Sequence, residues 1–87
     1  MYQLTVFQNP ISNNYCIGTN VMKPDKVALN ISLNSEIPIC FVLGGKSTLD
    51  TNRLCGTNYN LIIEVPIDSQ VPNVKAMMVE AIKIFDH

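Results

Sequence analysis

The stretch that decides the fold class is VKAMMVEAIKIF, residues 74–85. Drawn on a helical wheel, its apolar side chains fall within an arc of roughly 160°, which is typical of a helix that buries one face. Pro72 suits the first turn of such a helix, and Ser69 or Asn73 suits its N-cap. We therefore expect a C-terminal helix that covers one side of a sheet. Its buried face is predicted to comprise Val74, Met77, Met78, Ala81, Ile82, Ile84 and Phe85.

Upstream of that helix, apolar and polar residues alternate with the period of two that is typical of strands. In the clearest run, residues 26–33, the side chains of Val27, Leu29, Ile31 and Leu33 would share one buried face. We expect an α+β fold in a single domain over residues 1–87, with a mostly antiparallel sheet of four to five strands packed against the helix. The other predicted strands are residues 2–8, 15–22, 37–43 and 59–67.

Two connecting segments have turn chemistry. Residues 9–14 are rich in Asn, Pro and Ser, and residues 23–25 contain Pro24, so both are predicted to be turns. Gly18, inside the second predicted strand, indicates a bulge or a close approach of another part of the chain. Residues 48–55 are predicted to form a short helix, because a capping-box pattern precedes them and a glycine follows them; the alternative is a long loop.

Composition excludes several classes of protein. The chain has 87 residues, of which 47% are hydrophobic and 15% charged, with a net charge of −1. The hydrophobic fraction excludes a disordered chain, and no apolar run reaches the roughly 18–20 residues of a membrane span. The six basic residues are spread along the sequence, so nucleic acid is not an expected partner. The start of the sequence lacks a signal peptide, which favours a cytoplasmic protein with no membrane partner.

The residue inventory gives little support for catalysis or metal binding. The one histidine, His87, is poorly placed to activate a Ser or Cys nucleophile. Cys16, Cys40 and Cys55 form no C-x-x-C pair, which predicts buried thiols rather than a zinc site or disulfides. We expect a protein that is not an enzyme and has no metal or cofactor. The carboxylates of the predicted turns and strands are interpreted as solvated charges and a helix cap: Glu36, Asp50, Glu64 and Asp68.

One segment, LGGKST at residues 43–48, has a recognisable chemistry. It resembles the tail of a Walker A loop, but Cys40 stands where that motif has its first glycine, which excludes NTPase activity. Free backbone N–H groups beside a lysine at a helix start suit a phosphate-like anion. The alternative is a plain strand–turn–helix junction capped by Ser47. The candidate ligand-binding residues are Gly44, Gly45, Lys46, Ser47, Thr48 and Arg53.

Self-association is also predicted, because one helix shields only one face of a sheet. On the other face Cys40, Val42 and Ile62 would form an apolar patch of the kind that marks an interface. Pro38 and Pro66 are expected to guard strand edges, which favours a closed assembly over fibres. We therefore predict a homo-oligomer, at least a dimer, that associates through the helix-free face or through a strand edge.

Two functions of different class follow from these features. The first is a non-catalytic binding module that oligomerises and sequesters an anionic small molecule, such as a nucleotide-like ligand, at residues 44–48. The alternative is a protein inhibitor or adaptor, of the kind found as accessory proteins of viruses and mobile elements. Such a protein would block a larger assembly of a host protein through a sheet edge or face.

Overall fold

The computed structural model describes residues 3–35, 40–43, 59–66 and 68–85, with residues 40–43 and 68 described by their backbone alone. This part of the chain forms an antiparallel sheet of strand order β1-β2-β4-β3 and two helices. The α+β class, the antiparallel sheet and the C-terminal helix are therefore confirmed. The elements are β1 (Leu4–Gln8), β2 (Tyr15–Thr19), α1 (Pro24–Asn34), β3 (Cys40–Leu43), β4 (Leu61–Val65), a 3₁₀ turn (Asp68–Gln70) and α2 (Val71–Phe85).

The sequence predicts four to five strands, which is more than the three five-residue strands that make up most of the sheet. These strands are β1, β2 and β4, and only the four-residue β3 adds to them, along the outer side of β4. The predicted strand over residues 26–33 does not exist. The strands predicted over 15–22 and 59–67 are confined to Tyr15–Thr19 and Leu61–Val65.

Residues 26–33 lie instead in helix α1, which begins where a turn was predicted. Pro24 occupies the first turn, where its fixed φ and missing N–H cost nothing, and Asp25 faces the positive end of the helix dipole. The buried side chains are Val27, Ala28 and Ile31, at helical rather than strand spacing. Two of the residues expected inside are on the surface, since Leu29 is 59% and Leu33 75% exposed.

Helix α2 has the buried face that the sequence predicts, with one exception. Val74, Met78, Ala81 and Ile82 are buried, while Met77 and Phe85 pack at the margin of the core. Ile84 is 56% exposed, so the predicted apolar arc was drawn too wide at this end. Neither predicted cap fits, because Ser69 lies in the 3₁₀ turn and Asn73 inside the helix.

Both helices pack on one face of the sheet and form a two-layer molecule with a single main core. The two helices pack against each other. Lys26 lines one groove between them with Phe85, and Asn34 lines the other with Ala76. α1 lies towards β3, and α2 towards β2. The sheet supplies Ile17, Leu61, Ile63 and Val65 to this core.

Residues 9–14 form the turn of the β1–β2 hairpin, as predicted. The Asn9 backbone N–H donates to the carbonyl oxygen of Asn14 at 2.8 Å, and the Asn13 N–H donates to the carbonyl oxygen of Asn9 at 2.8 Å. Asn13 has a φ of 66°, a left-handed conformation that asparagine tolerates better than most residues. This geometry joins two strands whose register is Leu4 opposite Thr19 through Gln8 opposite Tyr15.

Two further predictions meet different outcomes. Gly18 does mark a close approach, because a Cβ at this position would lie 2.7 Å from Cγ of Tyr59. The possible helix over residues 48–55 lies outside the described residues. In the part of the chain that the structure describes, neither helix has the length and apolar character needed to cross a membrane.

Candidate functional site

The six residues of the predicted anion site lie outside the described residues: Gly44, Gly45, Lys46, Ser47, Thr48 and Arg53. The predicted interface on the helix-free face is partly described, and there the prediction is wrong for Ile62, which is only 2% exposed. The side chains of Cys40 and Val42 are outside the described set.

The helix-free face is covered by aromatic rings over the β1–β2–β4 region. Phe7 and Tyr59 stack with their ring centroids 5.6 Å apart, and the Tyr59 ring lies against Gly18. Gly18 and Ile62 are opposite each other in the β2–β4 register, so the ring reaches the part of the face where Ile62 lies. The sequence did not indicate this cover, because Tyr59 and Gly18 are far apart along the chain and come into contact only in the fold.

Glu64 also lies on the helix-free face, where it holds the hairpin turn in place. Its carboxylate accepts hydrogen bonds from Asn9 Nδ2 at 3.2 Å, Ser12 Oγ at 3.1 Å and Asn14 Nδ2 at 2.7 Å. The buried Cys16 thiol approaches the same carboxylate at 3.8 Å. Glu64 is therefore more than the solvated charge that its sequence position indicated. Because the chain's own donors occupy both oxygens, the arrangement anchors the hairpin rather than forming an acid–base site.

The hairpin that Glu64 anchors ends the sheet on one side. β1 is the first strand in the order β1-β2-β4-β3, so among the described residues it has a partner on its inner side only. The other terminal strand is β3. Pro66 was expected to guard a strand edge, and this expectation is wrong. Pro66 follows β4, which is an interior strand of the sheet. Pro38 lies outside the described residues.

The hydrogen bonds at the turn show which backbone groups of β1 point outward. Asn9 and Asn14 are hydrogen-bonded to each other and stand one position beyond the Gln8–Tyr15 pair. In an antiparallel ladder, hydrogen-bonded and non-hydrogen-bonded pairs alternate. Thr5 and Phe7 therefore bond inward to β2, and the N–H and C=O groups of every second residue face the open side. These outward residues are Leu4, Val6 and Gln8.

Strand β1 carries neither charged side chains nor proline, two of the features that discourage strand pairing. Residues 1–22 contain no Asp, Glu, Lys, Arg or His, and β1 itself contains no proline. Natural edge strands are commonly protected by charged side chains, proline or bulges. Val6, at the centre of β1, is 39% exposed. The surface formed by the outer side of Leu4–Gln8 is called the β1 edge below.

A groove adjoins the β1 edge on the helix-bearing face. It has a volume of about 290 Å³ and is lined by Val6, Tyr15, Val71 and Pro72. Val6 lies on this face because it is in register with Ile17, a residue of the main core. The start of α2 therefore stands beside the edge strand, and a strand added to β1 would meet an apolar wall on one face.

No protein-family model, curated protein or solved structure matches this chain.

Proposed function

We propose that this chain is a non-catalytic protein-interaction module that binds an extended strand of another polypeptide along the β1 edge. The observation that supports this proposal is the row of outward N–H and C=O groups at Leu4, Val6 and Gln8, on a strand without charge or proline. Strand addition draws its affinity from such main-chain groups and its specificity from pockets beside them. The Val6–Pro72 groove is a pocket of that kind.

The hairpin is held rigidly enough to act as a template. The three hydrogen bonds to Glu64 tie its turn to β4, and Phe7 is fixed by its stack on Tyr59. A strand that is already extended and held in register loses little conformational entropy when it pairs. This class of function corresponds to the inhibitor or adaptor alternative of the sequence analysis. Binding of an anionic small molecule at residues 44–48 stays a separate prediction.

Amide hydrogen exchange, followed by NMR, tests the proposal with two capped peptides. One peptide has the sequence of residues 3–8, and the other is an alternating Thr–Val sequence. We expect either peptide to slow exchange at the outward amides of Val6 and Gln8. The inward amides of Thr5 and Phe7 serve as internal controls, since they bond to β2 with or without peptide. If the amides of Val6 and Gln8 exchange as fast as freely exposed amides both without peptide and with either peptide at millimolar concentration, the proposal is wrong.

A pair of lysine substitutions separates the edge from general surface effects. Val6→Lys places a charge at the centre of the β1 edge, and Leu33→Lys places one on a more exposed apolar residue of α1. We expect Val6→Lys to abolish peptide binding and Leu33→Lys to leave it unchanged, because a lysine at a sheet edge opposes further pairing. Equal loss of binding in both variants would contradict the assignment of the site to β1.

A further inference from the structure

The β1 edge is complementary to itself, and we infer that its partner is a second copy of this chain, with the two β1 strands antiparallel and centred on Val6. This inference rests on the proposed function, since it names the strand that the edge accepts. The product is one continuous sheet in which each copy contributes its strands in the order β1-β2-β4-β3.

The backbone supplies the first argument. A two-fold axis at Val6 places Val6 opposite the partner's Val6, and Leu4 opposite the partner's Gln8. These are the three residues whose N–H and C=O groups face outward, so every outward group of β1 finds a partner. Each pair exchanges two hydrogen bonds, which gives about six across the seam. A register shifted by two residues would leave the outward groups at one end of each β1 strand without a β1 partner.

The side chains supply the second argument. The axis runs perpendicular to the sheet, so both helix layers lie on the same face of the joined sheet. Val6 then lies beside the partner's Val6, and the groove lined by Val6, Val71 and Pro72 meets its symmetry copy. The exposed apolar surface at the edge of one copy is thereby covered by the same surface of the other.

The absence of charge supplies the third argument. At a two-fold antiparallel seam, each residue meets a residue of an identical strand, so any charge near the axis would face a like charge. Residues 1–22 contain no charged side chain, while all 13 Lys, Arg, Asp and Glu residues follow from Lys23 onward. The pairing also closes on itself, because each copy uses its β1 edge once.

Three single-cysteine substitutions in the full chain test the register. In the proposed dimer the two Val6 Cα atoms are about 5.5 Å apart, within the range that a disulfide bridges. The two Leu4 Cα atoms are about 13 Å apart along the strand, as are the two Gln8 Cα atoms, which is too far. We expect Val6→Cys to cross-link to itself on oxidation. Leu4→Cys and Gln8→Cys should cross-link only when mixed with each other.

Peptide mapping by mass spectrometry identifies the cysteines joined, and the parent chain oxidised in parallel shows the background from its native thiols.

Sedimentation supplies a second measurement that needs no new cysteine. We expect the parent to sediment at twice 9.7 kDa, and Val6→Lys to raise the dimer dissociation constant at least about tenfold. Val6→Pro is a second blocking variant, since it removes an outward N–H without removing a bond to β2.

The outcomes distinguish this inference from the proposed function. Cross-linking in the stated pattern supports the dimer. If a peptide protects the Val6 amide but the parent remains a 9.7 kDa species on concentration, the inference is overturned and the edge serves a foreign strand. A dimer that cross-links in another pattern, or resists Val6→Lys, also overturns it. If no strand protects Val6, the inference and the proposed function fall together.

Discussion

Two alanine substitutions in α2 test the packing that positions the sheet. Ile82 and Ile84 are the same residue type, two positions apart in one helix, yet Ile82 is 1% exposed and Ile84 is 56% exposed. Ile82→Ala removes buried methyl groups from the core and leaves a cavity, which costs about 2–5 kcal/mol. Ile84→Ala acts at the surface, where substitutions stay within about 0.5 kcal/mol.

These magnitudes matter for a chain of this size. A domain of 87 residues is expected to have a free energy of unfolding of about 4–13 kcal/mol. Ile82→Ala therefore removes a large share of the stability and should lower the melting temperature by at least about 8 °C. Ile84→Ala should lower it by less than about 4 °C.

Urea unfolding, monitored by circular dichroism, measures the difference between the two variants. We expect a large fall in midpoint for Ile82→Ala and almost none for Ile84→Ala, with slopes equal to that of the parent. Equal shifts in the two variants, or a larger shift for Ile84→Ala, would refute the orientation of α2 on the sheet. A changed slope in one variant would show that the denatured state was altered.

Two further predictions concern the hairpin anchor and the anion turn. Glu64→Ala should destabilise the protein by about 1–3 kcal/mol in urea melts, because the hairpin turn loses the carboxylate that accepts its three hydrogen bonds. Glu80→Ala is the control, since its ion pair with Lys83 at 3.5 Å is exposed and should contribute almost nothing; equal losses would remove the anchoring role of Glu64. Lys46→Ala and Ser47→Ala should each weaken binding of inorganic phosphate in calorimetry without changing the melting temperature, and an unaltered affinity would remove this turn as the site.

The sequence predicted α2 well because the apolar repeat that indicates this helix is formed by neighbouring residues and continues over several turns. Fifteen helical residues give several turns over which an apolar face repeats, and Val74, Met78 and Ile82 stand at helical spacing. Ile84 was misplaced because a helical wheel gives the angle of a side chain but not how far the buried face extends around the helix. Phe85 still packs against the core, so it is the flank of the predicted arc, at Ile84, that faces solvent.

Residues 26–33 were predicted as a strand because two patterns overlap in them. Val27 and Ile31 are four apart, which fits the period of a strand and also one turn of a helix. Leu29 and Leu33 completed the alternation, although both are exposed in the fold. Pro24 followed by Asp25 was the signal for a helix start that could have decided between the two.

The candidate site could be predicted only in part. Alternation identified β1, and the absence of charge in residues 1–22 is visible in the sequence. That β1 is an edge strand depends on the order β1-β2-β4-β3, which pairs β2 with a strand more than forty residues away in sequence. Local patterns do not determine such pairings. The same distance hid the contacts of Glu64 with the hairpin turn.

A second apolar surface, on the helices, is an alternative interface against which the β1 dimer can be tested. Leu29, Leu33 and Phe85 line a groove of about 270 Å³ that runs along α1 beside the end of α2. α1 lies towards β3, at the opposite side of the sheet from β1, so pairing of two β1 strands leaves this groove open. Its lining residues belong to helices, whose main-chain groups bond within the helix, whereas the β1 edge presents main-chain N–H and C=O groups to a further strand. The Leu33→Lys variant should therefore form the β1 dimer as the parent does. If Leu33→Lys weakens dimerisation, the interface lies on the helices and not at β1.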